Sequence, residues 1–447
     1  MPAILKHSLS IILGLILLIL AVMPKVVSSN VQATTTANLY ALFPPETRRQ
    51  IQIDEGRFES GWFSSVASYD LSYAPFGTSE PLVAELHFSY QHGPLLFTAD
   101  GMKIGLAYAD IEPRFADPQL GQVLLDIPFE LPELSVGMLL GLNEDLTFDI
   151  AVAPAVIDDN TTTLNFDGLQ ARLEVAADMS ATFRMDMERL DARQAGNGMG
   201  FSISALSVTS ETAQINNLLA NSDALLEIAE LGSPGPLAFN SKTISANSSI
   251  RNNSALEIDV SQRLAISEID SALPVDAISW TMEVEELQTS VIRQYYDVLY
   301  EMQQQLSTAS SATTNGSDVL GEMVDDFGLV VLQNRLVVNN NLAATVYDGD
   351  HNLDIQLRWL GLPQLGSYEE LSFADVIDAL ELQLDLSLAL EAILQSPAAA
   401  MVDPYLQQGY VTVDNNRIEM QLSLRDRQLV LNGEITALEQ FFPTVSQ

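Results

Sequence analysis

Ser64, Ser65, His87 and His92 place two hydroxyls and two imidazoles in one short stretch. Those residue types can make a nucleophile and its base. A serine attacks only when an imidazole within hydrogen-bond reach takes its proton, an acid orients that imidazole, and an oxyanion hole receives the charge. Spacing shows none of these contacts. Gly61-Trp62-Phe63-Ser64 is not the Gly-x-Ser-x-Gly elbow of a strand-turn-helix nucleophile. These side chains are read as packing or turn-capping groups. No catalytic residue is assigned, and the chain is not read as an enzyme.

Metal chemistry fares no better. His87 and His92 are five apart, which on a strand sends them to opposite faces. The other histidines are His7, near the N-terminus, and His351, in a predicted turn. There is no cysteine, so thiolate sites, thiol nucleophiles and disulfides are excluded. Asp348-Gly349-Asp350-His351-Asn352-Leu353-Asp354 sets oxygen ligands at alternate positions, as a calcium loop does. Leu353 and Trp359 stand where that loop needs its glycine and its glutamate, so Asp-Gly between apolar alternations is read as a hairpin turn. Phosphate and dinucleotide fingerprints are absent, and no metal or cofactor site is assigned. Paired acids such as Glu285-Glu286 and Asp325-Asp326 are expected by chance among 59 acidic residues.

With only 20 basic residues, the formal net charge is −39. Such a surface repels phosphate backbones, which excludes nucleic acid as a partner. The acids are spread along the chain and are read as a solvated surface suited to a salty habitat. Cation binding is the sharper alternative.

The elements that must position these residues are mostly strands. Trp62-x-x-x-Val66, Tyr69-x-Leu71-x-Tyr73 and Leu86-x-Phe88-x-Tyr90 alternate at period two. So do Phe201-x-Ile203, Leu256-x-Ile258-x-Val260 and the five leucines from Leu380 to Leu388. Period two gathers apolar side chains on one face of a sheet. Gly61 suits a bulge or a close backbone approach within a strand. Trp62 and Phe63 should point to opposite faces, one of them into the core. Helical spacing marks 283–306, with 319–327 as a partner, as well as 215–231 and 389–406, the last broken at Pro397 and near Pro404. The Gly-, Pro-, Ser- and Asn-rich stretch 231–253 reads as a linker. It separates β-rich parts at 46–231 and 254–447, the latter with helices near 283–327 and 389–406.

Leu9 to Met23 is an apolar run preceded by Lys6 and His7, which orients the N-terminal end toward the cytoplasm. It fits either a cleaved signal peptide, with Val31-Gln32-Ala33 as the cleavage region, or an uncleaved signal anchor over residues 1–27 followed by a tether over 28–45. Both readings export the rest of the chain.

Gly61-Trp62-Phe63-Ser64-Ser65 and His92-Gly93-Pro94, followed by a helical interruption and a closing strand-helix-strand unit, resemble the YdgA-like family of Gram-negative envelope proteins. The pattern differs at Ser60, where a basic residue is common, and at Phe58, where an aromatic hydroxyl is usual. The resemblance favours the anchor over the signal peptide. It implies an inner-membrane protein, single-pass through residues 9–23, with its C-terminal bulk in the periplasm. It assigns structural roles to Gly61, Trp62, Phe63, Ser64, Ser65, His92, Gly93 and Pro94.

The expected fold is α+β and mainly β: a transmembrane helix, then an extended, curved antiparallel sheet with helical insertions. Its apolar face is expected to be capped by helices or to bind a hydrophobic ligand, such as a lipid, or a partner. The alternative is a structural scaffold of the envelope, a homo-oligomer assembled through strand edges or the 283–306 helix.

Overall fold

The computed structural model describes residues 39–74, 81–98, 101–115, 132–158, 162–194, 199–233, 238–272, 274–309 and 328–437. The anchor expected at 9–23 and the helix expected at 319–327 lie outside them. Among the described residues no helix is long and apolar enough to cross a membrane. The fold is mainly β, antiparallel, with few helices. It divides into two compact units. One comprises Met1–Ala155, Asp167–Asp186 and Thr209–Leu218; the other comprises Val156–Phe166, Met187–Val208 and Leu219–Gln447.

In chain order the first strands are β1 (Ile51–Ser60), β2 (Ser64–Tyr73), β3 (Leu82–His92), β4 (Leu95–Thr98), β5 (Gly101–Ile104) and β6 (Ala107–Phe115). Then come β7 (Leu134–Leu140), β8 (Leu146–Val152), β9 (Ala155–Asp158), β10 (Thr162–Phe166) and β11 (Leu169–Val175). In the first unit β1-β2-β3-β6-β7-β8-β11 lie side by side, each antiparallel to the next. β4 and β5 form a separate hairpin. Ile53, Ala67, Tyr69, Phe88, Tyr90, Ala109 and Met138 alternate along these strands and so share one face, where they form the core. Tyr69 meets Phe88 edge to face at 5.2 Å between ring centroids. Leu39 and Tyr40 pack on the same cluster, and the Ile53 N–H donates to the Tyr40 hydroxyl at 2.6 Å.

The expected bulge at Gly61 is not there. Ser60 pairs with Ser65, and the Gly61 N–H donates to the Ser64 carbonyl, so Gly61, Trp62 and Phe63 form the turn between β1 and β2. Trp62 is 52% exposed and Phe63 is 60% exposed, and neither enters the core. Alternation requires extended backbone, and a turn suspends it. The expected close approach does hold: a Cβ on Gly61 would stand 2.5 Å from the Ser64 carbonyl oxygen. The register irregularity lies earlier, between Glu55 and Phe58.

The remaining strands are β12 (Ala181–Gln194), β13 (Gly200–Thr212), β14 (Ser222–Ser233), β15 (Phe239–Asn252), β16 (Glu257–Ser271), β17 (Val275–Gln288) and β18 (Leu336–Val346). They are followed by β19 (Gly349–Trp359), β20 (Leu380–Ala389), β21 (Thr412–Asp414), β22 (Arg417–Arg425), β23 (Gln428–Leu431) and β24 (Glu434–Thr436). In the second unit β14 through β20, then β22, β23 and β24, form one antiparallel succession. Tight two-residue turns close several of its hairpins. Tyr347-Asp348, Asn415-Asn416, Asp426-Arg427 and Asn432-Gly433 all have positive φ at both positions, the geometry that matches strand twist. The hairpin expected at Asp348-Gly349-Asp350 is there, but its turn is Tyr347-Asp348: Gly349 pairs with Val346, and Gly349 to Asp354, His351 included, already belong to β19.

Helices among the described residues include α1 (Pro45–Arg48), α2 (Thr289–Ala309), α3 (Phe373–Ala379), α4 (Leu390–Gln395) and α5 (Ala399–Gln407). Residues 328–333 are helical as well. The break between α4 and α5 falls at Pro397 as expected, whereas α5 runs on through Pro404. Three expectations are corrected. The helix expected over 283–306 starts at Thr289, because Glu283 and Val284 pair with Asn339 and Val338 in the sheet. The helix expected over 215–231 is a turn followed by β14, whose Leu226 and Ile228 face Ala246 and Ile244 across the ladder. The stretch 239–252, expected as linker, is β15, paired on both edges. A central strand takes its hydrogen bonds from both neighbours, so Ser and Asn there do not prevent it forming.

Candidate functional site

Two places bring together side chains that the sequence singled out. The first is where β2 starts and β3 ends. β2 presents Ser65 beside Tyr90, and two residues on, at the end of β3, stands His92. The Ser65 hydroxyl and His92 Nε2 are 2.8 Å apart, and the His92 backbone N–H donates to the Phe63 carbonyl at 2.8 Å. Gly93, at φ 129°, turns the chain into Pro94, and its N–H donates to the Leu106 carbonyl. Of the eight residues that the resemblance singled out (Gly61, Trp62, Phe63, Ser64, Ser65, His92, Gly93 and Pro94), hydrogen bonds link Gly61 to Ser64, Phe63 to His92 and Ser65 to His92, so the β1–β2 turn meets the end of β3.

Ser65 and His92 meet at the distance a nucleophile and base require. Both are only 3% exposed, and the His92 ring stacks on Tyr90 at 6.2 Å. The pair is thereby shielded from solvent. What the arrangement does is join the start of β2 to the end of β3 through a buried polar contact, next to the stacked Phe88 and Tyr90. Ser64 is exposed on the other face. His87 also points away from the core, with Nε2 at 3.1 Å from Glu85 Oε1.

The second place is an apolar cavity in the second unit. Across its sheet, paired positions form a row: Leu226, Ala246, Leu264, Trp280 and Leu342 on β14 to β18. The row continues as Leu353, Leu386 and Met420 on β19, β20 and β22. No member is fully buried, and Leu342 is 41% exposed. The row is half-open, neither sealed core nor bare surface. At its β20–β22 end, α4 and α5 flank an open-sided cavity of about 490 Å³. Leu386, Leu388, Ile418 and Met420 line it from the strands, and Ile393, Met401, Val402 and Tyr405 line it from the helices. No charged side chain lines it. Tyr405 and Tyr410 are the lining residues with a polar side-chain atom, and their rings lie 6.0 Å apart.

The leucines of β20 were legible as an apolar stripe; Met401, Val402 and Tyr405 were missed as lining. The only signal was the helical spacing of 389–406, which does not say which sheet face the helices cover. Among the described residues no group of three or more His, Asp or Glu is placed to hold a metal.

Comparison with known proteins adds one result. The sequence profile of a bacterial protein family of unknown function, DUF945, matches residues 5–439. The chain belongs to that family. No curated protein and no solved structure matches it. The match covers both units, so the Ser65–His92 contact and the cavity both lie within the family's extent.

Proposed function

We propose that this is a membrane-anchored protein of the periplasmic side that holds a hydrophobic ligand against the apolar face of its sheet. The observation that carries the ligand reading is the cavity between β20, β22, α4 and α5. Its volume falls within the roughly 300–1,000 Å³ of small-molecule sites, and its lining is almost wholly aliphatic and aromatic. Such a lining suits an acyl chain or another long apolar group. The half-open row that leads to Leu386 and Met420 supports a ligand longer than the cavity. The anchor and its orientation rest on Leu9–Met23 behind Lys6 and His7, and the YdgA-like resemblance supports placement in the envelope.

Native mass spectrometry of the chain lacking Met1–Val27, purified without detergent, should show a co-purifying lipid. A fluorescent long-chain fatty acid should bind and be displaced by unlabelled fatty acid. Met401→Asp places a carboxylate at the cavity from a half-exposed helix position, and it should weaken binding about tenfold, roughly 1.4 kcal/mol. A chain with no lipid adduct and no fatty-acid binding would remove this reading.

A further inference from the structure

We infer that the β4–β5 hairpin is a membrane-contacting element that lays its outer face in the interfacial layer of the bilayer that holds the chain. The hairpin pairs Leu95 with Ile104 and Phe97 with Met102, so these four side chains share one face. They are 40%, 60%, 71% and 63% exposed, respectively. The opposite face is pinned down. Leu96 is 1% exposed, and Lys103 lies over the Tyr108 ring at 4.9 Å and 3.6 Å from Asp149. The hairpin therefore has a fixed orientation, with its apolar side outward. β1, in the same unit, shows what a water-facing strand looks like here: its exposed positions include Gln52, Asp54, Glu55, Arg57 and Glu59. Trp62 and Phe63, also exposed, are tied to the chain just before the hairpin through the bond from His92 to Phe63.

The occupant follows from the length of the chain ahead of Leu39 and from the charge. The inference rests on the reading of Leu9–Met23 as a membrane anchor. Leu39 packs on the core of this same unit, and the residues from Met23 to Leu39 span at most about 55 Å. A tether of that reach keeps the unit beside the bilayer at high effective concentration, so a patch too small to hold a free protein suffices. Aromatic and aliphatic side chains are those that settle at a membrane interface. With a net charge of −39, attraction to anionic headgroups cannot supply the contact, so it must be apolar.

The absence of cysteine permits a clean test on the full chain. Met102→Cys and, as a control on β1, Glu59→Cys are each labelled with an environment-sensitive dye. Each chain is then reconstituted in zwitterionic vesicles whose acyl chains carry a quencher. Carbonate extraction of the same vesicles reads the anchor separately. The inference expects the dye at 102 to be blue-shifted and quenched several-fold more than at 59, with Phe97→Ser reducing the difference at least twofold. An integrated chain in which 102 behaves like 59 overturns the hairpin inference and leaves the anchor standing. A chain released by carbonate overturns the anchor reading and the inference with it. A dye at 102 that is blue-shifted but unquenched assigns the face to a protein partner or a second copy instead, and also overturns it.

Discussion

At the scale of residues, the Ser65–His92 contact shows why a nucleophile and a base at hydrogen-bond distance are not yet chemistry. Buried as they are, the two side chains form a polar contact between the start of β2 and the end of β3, and its weight in stability can be measured. Removing one partner of a buried hydrogen bond costs the desolvation of the group left behind, about 1–3 kcal/mol. Ser65→Ala should therefore lower unfolding free energy by about that amount, read as a shift of the urea midpoint at constant slope. Ser64→Ala, at an exposed position one residue away, should change it by less than about 0.5 kcal/mol. Equal effects at both sites would refute a stabilising contact.

Strands impose their own logic on charge. Arg189, Asp191 and Arg193 are two apart on β12 and so fall on one face. Arg189 Nη2 lies 3.1 Å from Asp191 Oδ2, and Arg193 Nε lies 3.0 Å from Oδ1. Burial works against the Asp191 charge, but the hydrogen bonds and charges of Arg193 and Arg189 outweigh it and hold the carboxyl below its usual range. The contribution to stability is fully present above the unfolded aspartate value of about 3.9, and it is lost as pH falls through the lower folded value. Wild type should exceed Asp191→Asn in stability by a constant margin above about pH 5, and the margin should shrink below about pH 4. Because both arginines are more than half exposed, the margin should be modest, about 1 kcal/mol. Denaturation curves at a series of pH values check this, and a margin that grows in acid would contradict it.

The whole molecule carries 59 acidic residues against 20 basic ones, and they repel one another more when the chain is compact. Raising salt from about 10 mM to about 1 M shortens the screening length from about 30 Å to about 3 Å. The thermal midpoint should rise over that range, with chloride of any small cation serving equally. A rise confined to divalent cations would point to specific cation sites instead.

Composition and period two were enough to determine a mainly β, antiparallel, acidic chain with an apolar stripe on β20 and a hairpin next to Asp348-Gly349, though its turn falls one residue earlier, at Tyr347-Asp348. These are local properties, since alternation and turn chemistry act through neighbouring residues. Period two misled where the backbone stopped being extended, as at Trp62 and Phe63. Helical spacing misled where a neighbouring strand offered a full ladder of hydrogen bonds, as at 222–233 and 283–288. Which side chains meet across distant strands was decided only in the tertiary structure, because register depends on partners far away in sequence. That is how Ser65 came to touch His92, how eight strands aligned one apolar row, and how α4 and α5 came to flank a cavity at its end.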